Sequence, residues 1–271
     1  MKDIKMYEKK FKVLKNIKCF FLDLDGTFYL GDQILPGSLE FLEEIEKRSL
    51  KVLFVTNNSS RSANYYVEKL KKMGVREPFL NVLTSGQATA GFALQKFPKQ
   101  KAYLLANEIV TVEMLEAGIN VDYENPDYVM ITYDTELTYE KLDRVCFHLR
   151  SDLPYIASHP DLNCPMEYGF APDIGATIAY IEASTGRRPD YIIGKPNSYI
   201  IDQGTSLVKE AKENIAMVGD RLYTDLQAAI NSGILGILVM SGETDHKLLA
   251  ESTVKPDLIF ERLLDLVEFL D

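Results

Sequence analysis

Short apolar runs alternate with segments of helical period along most of this chain, and nearly every run stops at a cluster of polar or turn-forming residues. Ile17 to Leu22, broken only by Lys18 and Cys19, has the length and makeup of a buried strand. Leu50–Val55, Asn81–Ser85, Lys101–Leu105, Tyr128–Tyr133, Asp190–Ile193, Ile215–Val218, Ile234–Met240 and Pro256–Phe260 read as strands too. Between them, Ser38–Lys47 places Leu39, Leu42 and Ile45 on one helical face. Ala63–Met73, Ala88–Phe97, Thr111–Ala117, Thr138–Leu149, Ala176–Ser184, Ser198–Lys212, Leu226–Ser232 and a closing Glu261–Leu270 are the other predicted helices. Strand and helix in alternation predict an α/β fold built on parallel sheet. The pattern restarts near Gln87, so a second α/β unit is expected over 87–189, set into a core made of 1–86 plus 190–271.

In an open α/β sheet, ligands sit beyond the carboxyl ends of the strands, and four strand ends here carry chemistry. The first reads Asp23-Leu24-Asp25-Gly26-Thr27. Were the strand to continue, Asp23 and Asp25 would share a face. Two anions held that close persist only with a cation between them or with one protonated. Hard oxygen ligands favour Mg²⁺, and Gly26 lets the backbone turn away sharply. The second end, Thr56-Asn57-Asn58-Ser59-Ser60-Arg61, opens a helix and suits an anion, with simple capping by Asn58 or Ser59 as the even alternative. The third, Gly194-Lys195-Pro196-Asn197, fails the nucleotide P-loop spacing. Its lysine is either solvated or placed to neutralise phosphate. The fourth, Gly219-Asp220-Arg221-Leu222-Tyr223-Thr224-Asp225, offers Asp220 as a ligand and Asp225 as either a ligand or the N-cap of the next helix.

Composition narrows the classes. With 271 residues, 46% of them hydrophobic, the chain can fill a sizeable core without staples. Cys19, Cys146 and Cys164 have neither the number nor the spacing of a disulfide framework or zinc cluster, as expected of thiols in a reducing cytosol. The basic stretch Met1–Lys10 lacks the apolar core of a leader, and no run reaches membrane-spanning length, so a soluble cytoplasmic protein with no membrane partner is expected. A net charge of −10 disfavours a broad nucleic-acid surface, and phosphate ligands would need local cations.

Asp23/Asp25, Thr56, Lys195 and Asp220/Asp225 thus stand at four strand ends in chain order. This set resembles the haloacid dehalogenase superfamily of phosphohydrolases, whose motifs are D-x-D-G-T, a Ser/Thr after the second strand, a Lys, and G-D-x-x-x-D. Leu35-Pro36-Gly37, Thr56-Asn57-Asn58-Ser59 and Gly194-Lys195-Pro196 resemble the subfamily with a large cap after the second motif, which includes NagD-type sugar phosphatases and 4-nitrophenyl phosphatases. The resemblance implies a Rossmann-like, doubly wound parallel core with an inserted α/β cap of the C2 type. It further implies Mg²⁺-dependent hydrolysis of small phosphomonoesters, sugar phosphates or similar metabolites, through an aspartyl phosphate. Asp23 would be the nucleophile and Asp25 the general acid and base. Asp23, the Asp25 main-chain carbonyl and Asp220 would hold the metal, with Asp225 bound to it or one layer out. Thr56, Asn57, Asn58 and Lys195 would bind the phosphoryl group.

In the cap, His159-Pro160-Asp161-Leu162-Asn163-Cys164-Pro165 resembles the family's N-P-D-x-N-x-P segment, with His159 where Asn is frequent. His159, Asp161 and Asn163 are candidates for the leaving group, against the alternative of a turn stiffened by two prolines. No His or Cys lies at ligand spacing from His159, so a metal role there is not expected. Pro172-Asp173-Ile174-Gly175-Ala176 replaces a glycine-rich loop of many relatives and adds charge. A receiver-type signalling domain would also gather Asp, Thr and Lys, but such domains are shorter and carry no long insertion. A phosphometabolite-binding regulator of the same fold is the alternative function. For assembly the reading stays open, a homodimer through the cap being one option.

Overall fold

Cys19–Leu22 is buried at all four positions and forms the middle of the main sheet. It pairs in parallel with Lys51–Thr56 on one side and with Ile215–Gly219 on the other. The six strands run in the order Leu258–Phe260, Leu235–Val239, Ile215–Gly219, Cys19–Leu22, Lys51–Thr56, Val82–Thr84. From Cys19–Leu22 the chain first builds outward through Lys51–Thr56, then returns to the opposite side through Ile215–Gly219. The strand order therefore reverses between Cys19–Leu22 and Ile215–Gly219, where α/β sheets bind ligands. Helices cover the sheet closely. A Cβ on Gly204, in helix Tyr199–Val208, would press within 2.9 Å of Phe21 and 3.0 Å of Leu53. Phe20 meets Phe41 of helix Ser38–Lys47 edge-on, with centroids 5.7 Å apart.

This structure is a computed structural model and describes residues 10–166 and 169–270. Met1–Lys9, the bulk of the basic N-terminal stretch, lies outside the described residues. The chain divides into two compact units, one of Met1–Thr56, Val67–Leu83 and Pro196–Asp271, the other of Asn57–Tyr66 and Thr84–Lys195. The second unit thus takes in Asn57–Ser60 and Gly194-Lys195, which the sequence pattern assigns to the core. It has its own five-stranded sheet in the order Tyr191–Ile192, Tyr155–Ala157, Tyr128–Ile131, Lys101–Leu105, Asn120–Val121, every pairing parallel. Val145, Leu149, Ile174 and Ile181 of helices Tyr139–Leu149 and Ile174–Thr185 close the core over Leu105, Val129, Ile131 and Tyr155.

Several predicted elements change form. The closing segment is a 3₁₀ stretch, Leu263–Phe269, rather than an α-helix. Asn163–Met166 and Gly169–Pro172 pair antiparallel where no strand was predicted. The helix expected from Ala88 begins at Ser85, because Thr84 caps it with a reciprocal Thr84/Gln87 capping box. Ahead of helix Gln227–Ser232 runs a π-helical turn, Leu222–Leu226. No helix among the described residues is long and apolar enough to cross a membrane. Among the described residues no disulfide joins Cys19, Cys146 or Cys164.

Candidate active site

Asp23 extends the central ladder by one step, its N–H donating to Val218 O at 2.9 Å. The chain then leaves the sheet. Gly26 adopts φ +82°, its N–H donates to Tyr29 O at 2.8 Å, and Leu24 O accepts from Phe28 and Tyr29. The strand thus stops at Leu22 and Asp25 makes only an isolated bridge with Tyr29, so strand alternation does not itself put Asp23 and Asp25 on one face, yet the Asp23 charge still acts on Asp25. The Asp25 carboxyl instead accepts a hydrogen bond from the Gly31 main chain.

Asp220 follows the neighbouring strand Ile215–Gly219 across the switch point. Its Oδ2 accepts from Glu243 N–H at 2.7 Å, and the Thr27 hydroxyl lies 3.4 Å from its Oδ1. The π turn brings Asp225 back under Arg221, whose N–H donates to Asp225 Oδ2 at 3.2 Å. Asp225 does not cap the following helix, since it sits inside a continuous helical turn. One carboxylate oxygen each from Asp23, Asp220 and Asp225 lies within 4.8 Å of the others. Ligands on one Mg²⁺, at about 2.1 Å from it, stand about 3 to 4 Å apart, so this triple fits a single hard cation. Glycines leave the room. A Cβ on Gly26 or Gly242 would run into the Asp220 carboxylate, and one on Gly219 into that of Asp225.

Desolvation comes first, and the Asp23 charge second, in raising the Asp25 pKa to about 6, although Asp25 as a residue is exposed. Asp220 is buried and is likewise pushed up, by desolvation and then by the charges of Asp23 and Asp225. For Arg221, burial works to lower the pKa, but Asp23, Glu243, Asp220 and Asp225 together outweigh it and hold the guanidinium charged. An acidic centre with this much unbalanced charge calls for a cation.

The second unit gathers the residues after Thr56, which ends its strand buried in the first. Asn57 Oδ1 accepts from Lys195 N–H, and Asn57 Nδ2 donates to Lys195 O and to Asp161 Oδ2. Lys195 is 2% exposed. Asn58 Oδ1 accepts from the N–H and hydroxyl of Ser60, a local turn, and Ser62 rather than Asn58 or Ser59 accepts from the first turn of helix Ala63–Lys72, at Tyr65 N–H. His159 is fully buried. Its Nε2 lies 3.1 Å from Asp173 Oδ1, and its Nδ1 faces the hydroxyls of Ser158, Ser85 and Ser59 at 3.1, 3.3 and 3.4 Å. Asp161 and Asp173 bring ligand atoms within 4.8 Å of His159, a cluster its sequence spacing hides. Asp173 Oδ1 already accepts from Ile174 N–H at 2.6 Å as a helix N-cap. Asn163 is exposed at the start of strand Asn163–Met166.

Sequence reasoning passed over Arg221, Ser85, Ser158 and the Ser241–Thr244 loop. The loop had a signal, since Ser241-Gly242 follows the apolar run ending at Met240 and is thus another strand end. Ser241 donates to Gly26 O at 2.8 Å.

Comparison with known proteins agrees with this geometry. Residues 20–120 match the family model for haloacid dehalogenase-like hydrolases, and residues 192–266 a second HAD-hydrolase-like model. An acid sugar phosphatase of Staphylococcus haemolyticus is 36% identical over 251 residues, 92% of this chain and 95% of that protein. The solved 4-nitrophenylphosphatase of Thermotoga maritima has a TM-score of 0.92 at 46% identity, covering 96% of this chain and 99% of its own. A p-nitrophenyl phosphatase from Archaeoglobus fulgidus has a TM-score of 0.88 at 28% identity, covering 93% and 98%. Carboxylates at the switch point of the sheet and likeness along nearly the whole length lead to one assignment: the chain belongs to the haloacid dehalogenase-like hydrolases, in their NagD and 4-nitrophenylphosphatase group of phosphatases.

Proposed function

We propose that the protein hydrolyses small phosphomonoesters, sugar phosphates foremost, through a phosphorylated Asp23. The observation that carries this reading is the set of three carboxylates within 4.8 Å at the switch point, beside a fourth, Asp25, whose pKa is raised to about 6. Asp23, Asp220 and Asp225 suit a hard divalent cation such as Mg²⁺, with the Asp25 main-chain carbonyl as a further ligand; when bound it supplies positive charge against the phosphoryl oxygens. An Asp23 oxygen forms a bond to phosphorus as the bond to the leaving oxygen breaks, and Asp25 gives that oxygen its proton. Asp25 then takes a proton from the water that attacks the aspartyl phosphate, which releases phosphate and restores Asp23. A carboxyl with a raised pKa keeps its proton closer to neutrality than an ordinary aspartate, which suits the first step.

Thr56, the Asn57 main-chain N–H, Asn58 and Lys195 are proposed to bind the nonbridging oxygens, where charge redistributes in a loose transition state. Exposed Asn163 and half-buried Asp161 are the cap side chains proposed to meet the leaving group. His159, fully buried against Asp173 and three serines, is not among them, contrary to the expectation from sequence.

The test is phosphate release from 4-nitrophenyl phosphate and from a panel of sugar phosphates, with and without Mg²⁺, by wild type and Asp23→Asn. Metal-dependent release lost in Asp23→Asn is the expected result. No release with Mg²⁺ present would move the protein to the alternative of a phosphometabolite-binding regulator.

A further inference from the structure

Both ends of the Asn57 carboxamide are committed to one residue. Oδ1 accepts from the Lys195 N–H at 2.8 Å and Nδ2 donates to the Lys195 carbonyl at 2.8 Å, so the side chain grips the lysine's main chain from both sides. The other Nδ2 proton goes to Asp161 Oδ2 at 3.1 Å. That third bond sets the orientation, because a flipped amide would turn its oxygen toward a carbonyl and a carboxylate. Asn57 is itself tethered, its carbonyl accepting from the Ser85 hydroxyl. The fit leaves no space at the preceding residue, where a Cβ on Gly194 would lie 2.6 Å from Asn57 Oδ1 and 2.8 Å from Ser158 O. With both amide protons spent, the Asn57 side chain has no donor left for a phosphoryl oxygen.

We propose that Asn57 is the positioning residue of Lys195, oriented for that task by Asp161. A lysine on a flexible stem delivers its charge to a chosen point only if its main chain is held, and here the holding group comes from the Thr56-Asn57-Asn58-Ser59 loop, far away in sequence. The inference rests on Lys195 being the phosphate-binding cation of the proposed function, and it deepens that reading by assigning what places the lysine and which cap residue feeds into it.

The experiment is steady-state hydrolysis of 4-nitrophenyl phosphate with Mg²⁺, together with inhibition by inorganic phosphate, which has no leaving group and so reports the phosphate site alone. Asn57→Ala should lower kcat/KM and weaken phosphate inhibition by about 10- to 100-fold, the scale of a catalytic group displaced by an ångström. Lys195→Ala should lose at least as much, and Asn57→Ala added to it should cost no more than about twofold further, since residues acting through one another do not add. Asp161→Ala should also weaken phosphate inhibition, and Asp161→Asn, whose amide oxygen still accepts from Nδ2, should recover most of it. Losses that multiply in the double variant, or phosphate inhibition untouched by Asn57→Ala, overturn the inference while leaving the role of Lys195 standing. Wild-type turnover and inhibition in Lys195→Ala would instead overturn the reading of the lysine, and the inference with it. Should Asn57→Ala not fold, Asp161→Ala in the Lys195→Ala background makes the same comparison.

Discussion

A single carboxyl group, Asp25, sets the pH behaviour expected of turnover. Its pKa of about 6 means the proton it must donate is increasingly absent as pH rises past that point. Hydrolysis of alkyl phosphates, whose leaving oxygens need that proton, should therefore fall toward alkaline pH more steeply than hydrolysis of 4-nitrophenyl phosphate. Asp25→Ala should likewise cost alkyl substrates about 10²- to 10⁴-fold and the aryl ester less. Equal losses on both would sink the acid role. Asp23→Asn should leave the thermal midpoint intact and bring turnover to background, which circular dichroism and a phosphate-release assay check together. These two aspartates were legible because D-x-D-G-T after an apolar run is a compact signal. The surroundings of His159 were not: being 14 residues from Asp173 and 100 from Ser59, its partners appear only once the chain has folded.

Elements explain why the acidic centre has room. Gly26→Ala would place a Cβ against Asp220 at a backbone angle of +82°, whereas Gly186→Ala, at +74°, meets nothing within 4 Å. Both changes should cost about 1–2 kcal/mol for the left-handed backbone. Only Gly26→Ala should also weaken Mg²⁺ binding, measured by calorimetry, and unchanged affinity would show that this glycine does not shape the site. The helix start at Ser85 offers a separate check, since Thr84→Ala removes the capping box and should cost about 1 kcal/mol in chemical denaturation. The element boundaries here show where pattern reading stops short. Ser38–Lys47 and Lys101–Leu105 form over the very residues that periodicity marks out, because apolar spacing and local propensity agree there. Leu263–Phe269 becomes 3₁₀ and Leu222–Leu226 a π turn, forms that the same spacing cannot separate from an α-helix.

At the scale of the whole molecule, the raised carboxyls tie stability to pH and metal. Asp25 and Asp220 hold protons in the folded state that they release when unfolded above about pH 4, so the metal-free protein loses stability as pH rises through the folded values. The thermal midpoint without metal should be lower at pH 8 than at pH 5.5, and saturating Mg²⁺ should close the gap, adding about 2.7 kcal/mol at a hundredfold excess over its Kd. Asp220→Asn should narrow the metal-free difference, and a midpoint that climbs toward pH 8 without metal would contradict this account. Sequence alone determined the α/β class, the second unit and the acidic, cationic and hydroxyl-bearing strand ends, because hydrophobic period and turn chemistry are local properties carried by adjacent residues. Tertiary structure alone decided that Asp225 joins Asp23 and Asp220 rather than capping a helix, that His159 is enclosed, and that Asn57 spends its amide on Lys195. Those outcomes depend on which distant strand ends the sheet order makes neighbours, and spacing along a chain does not encode distance across it.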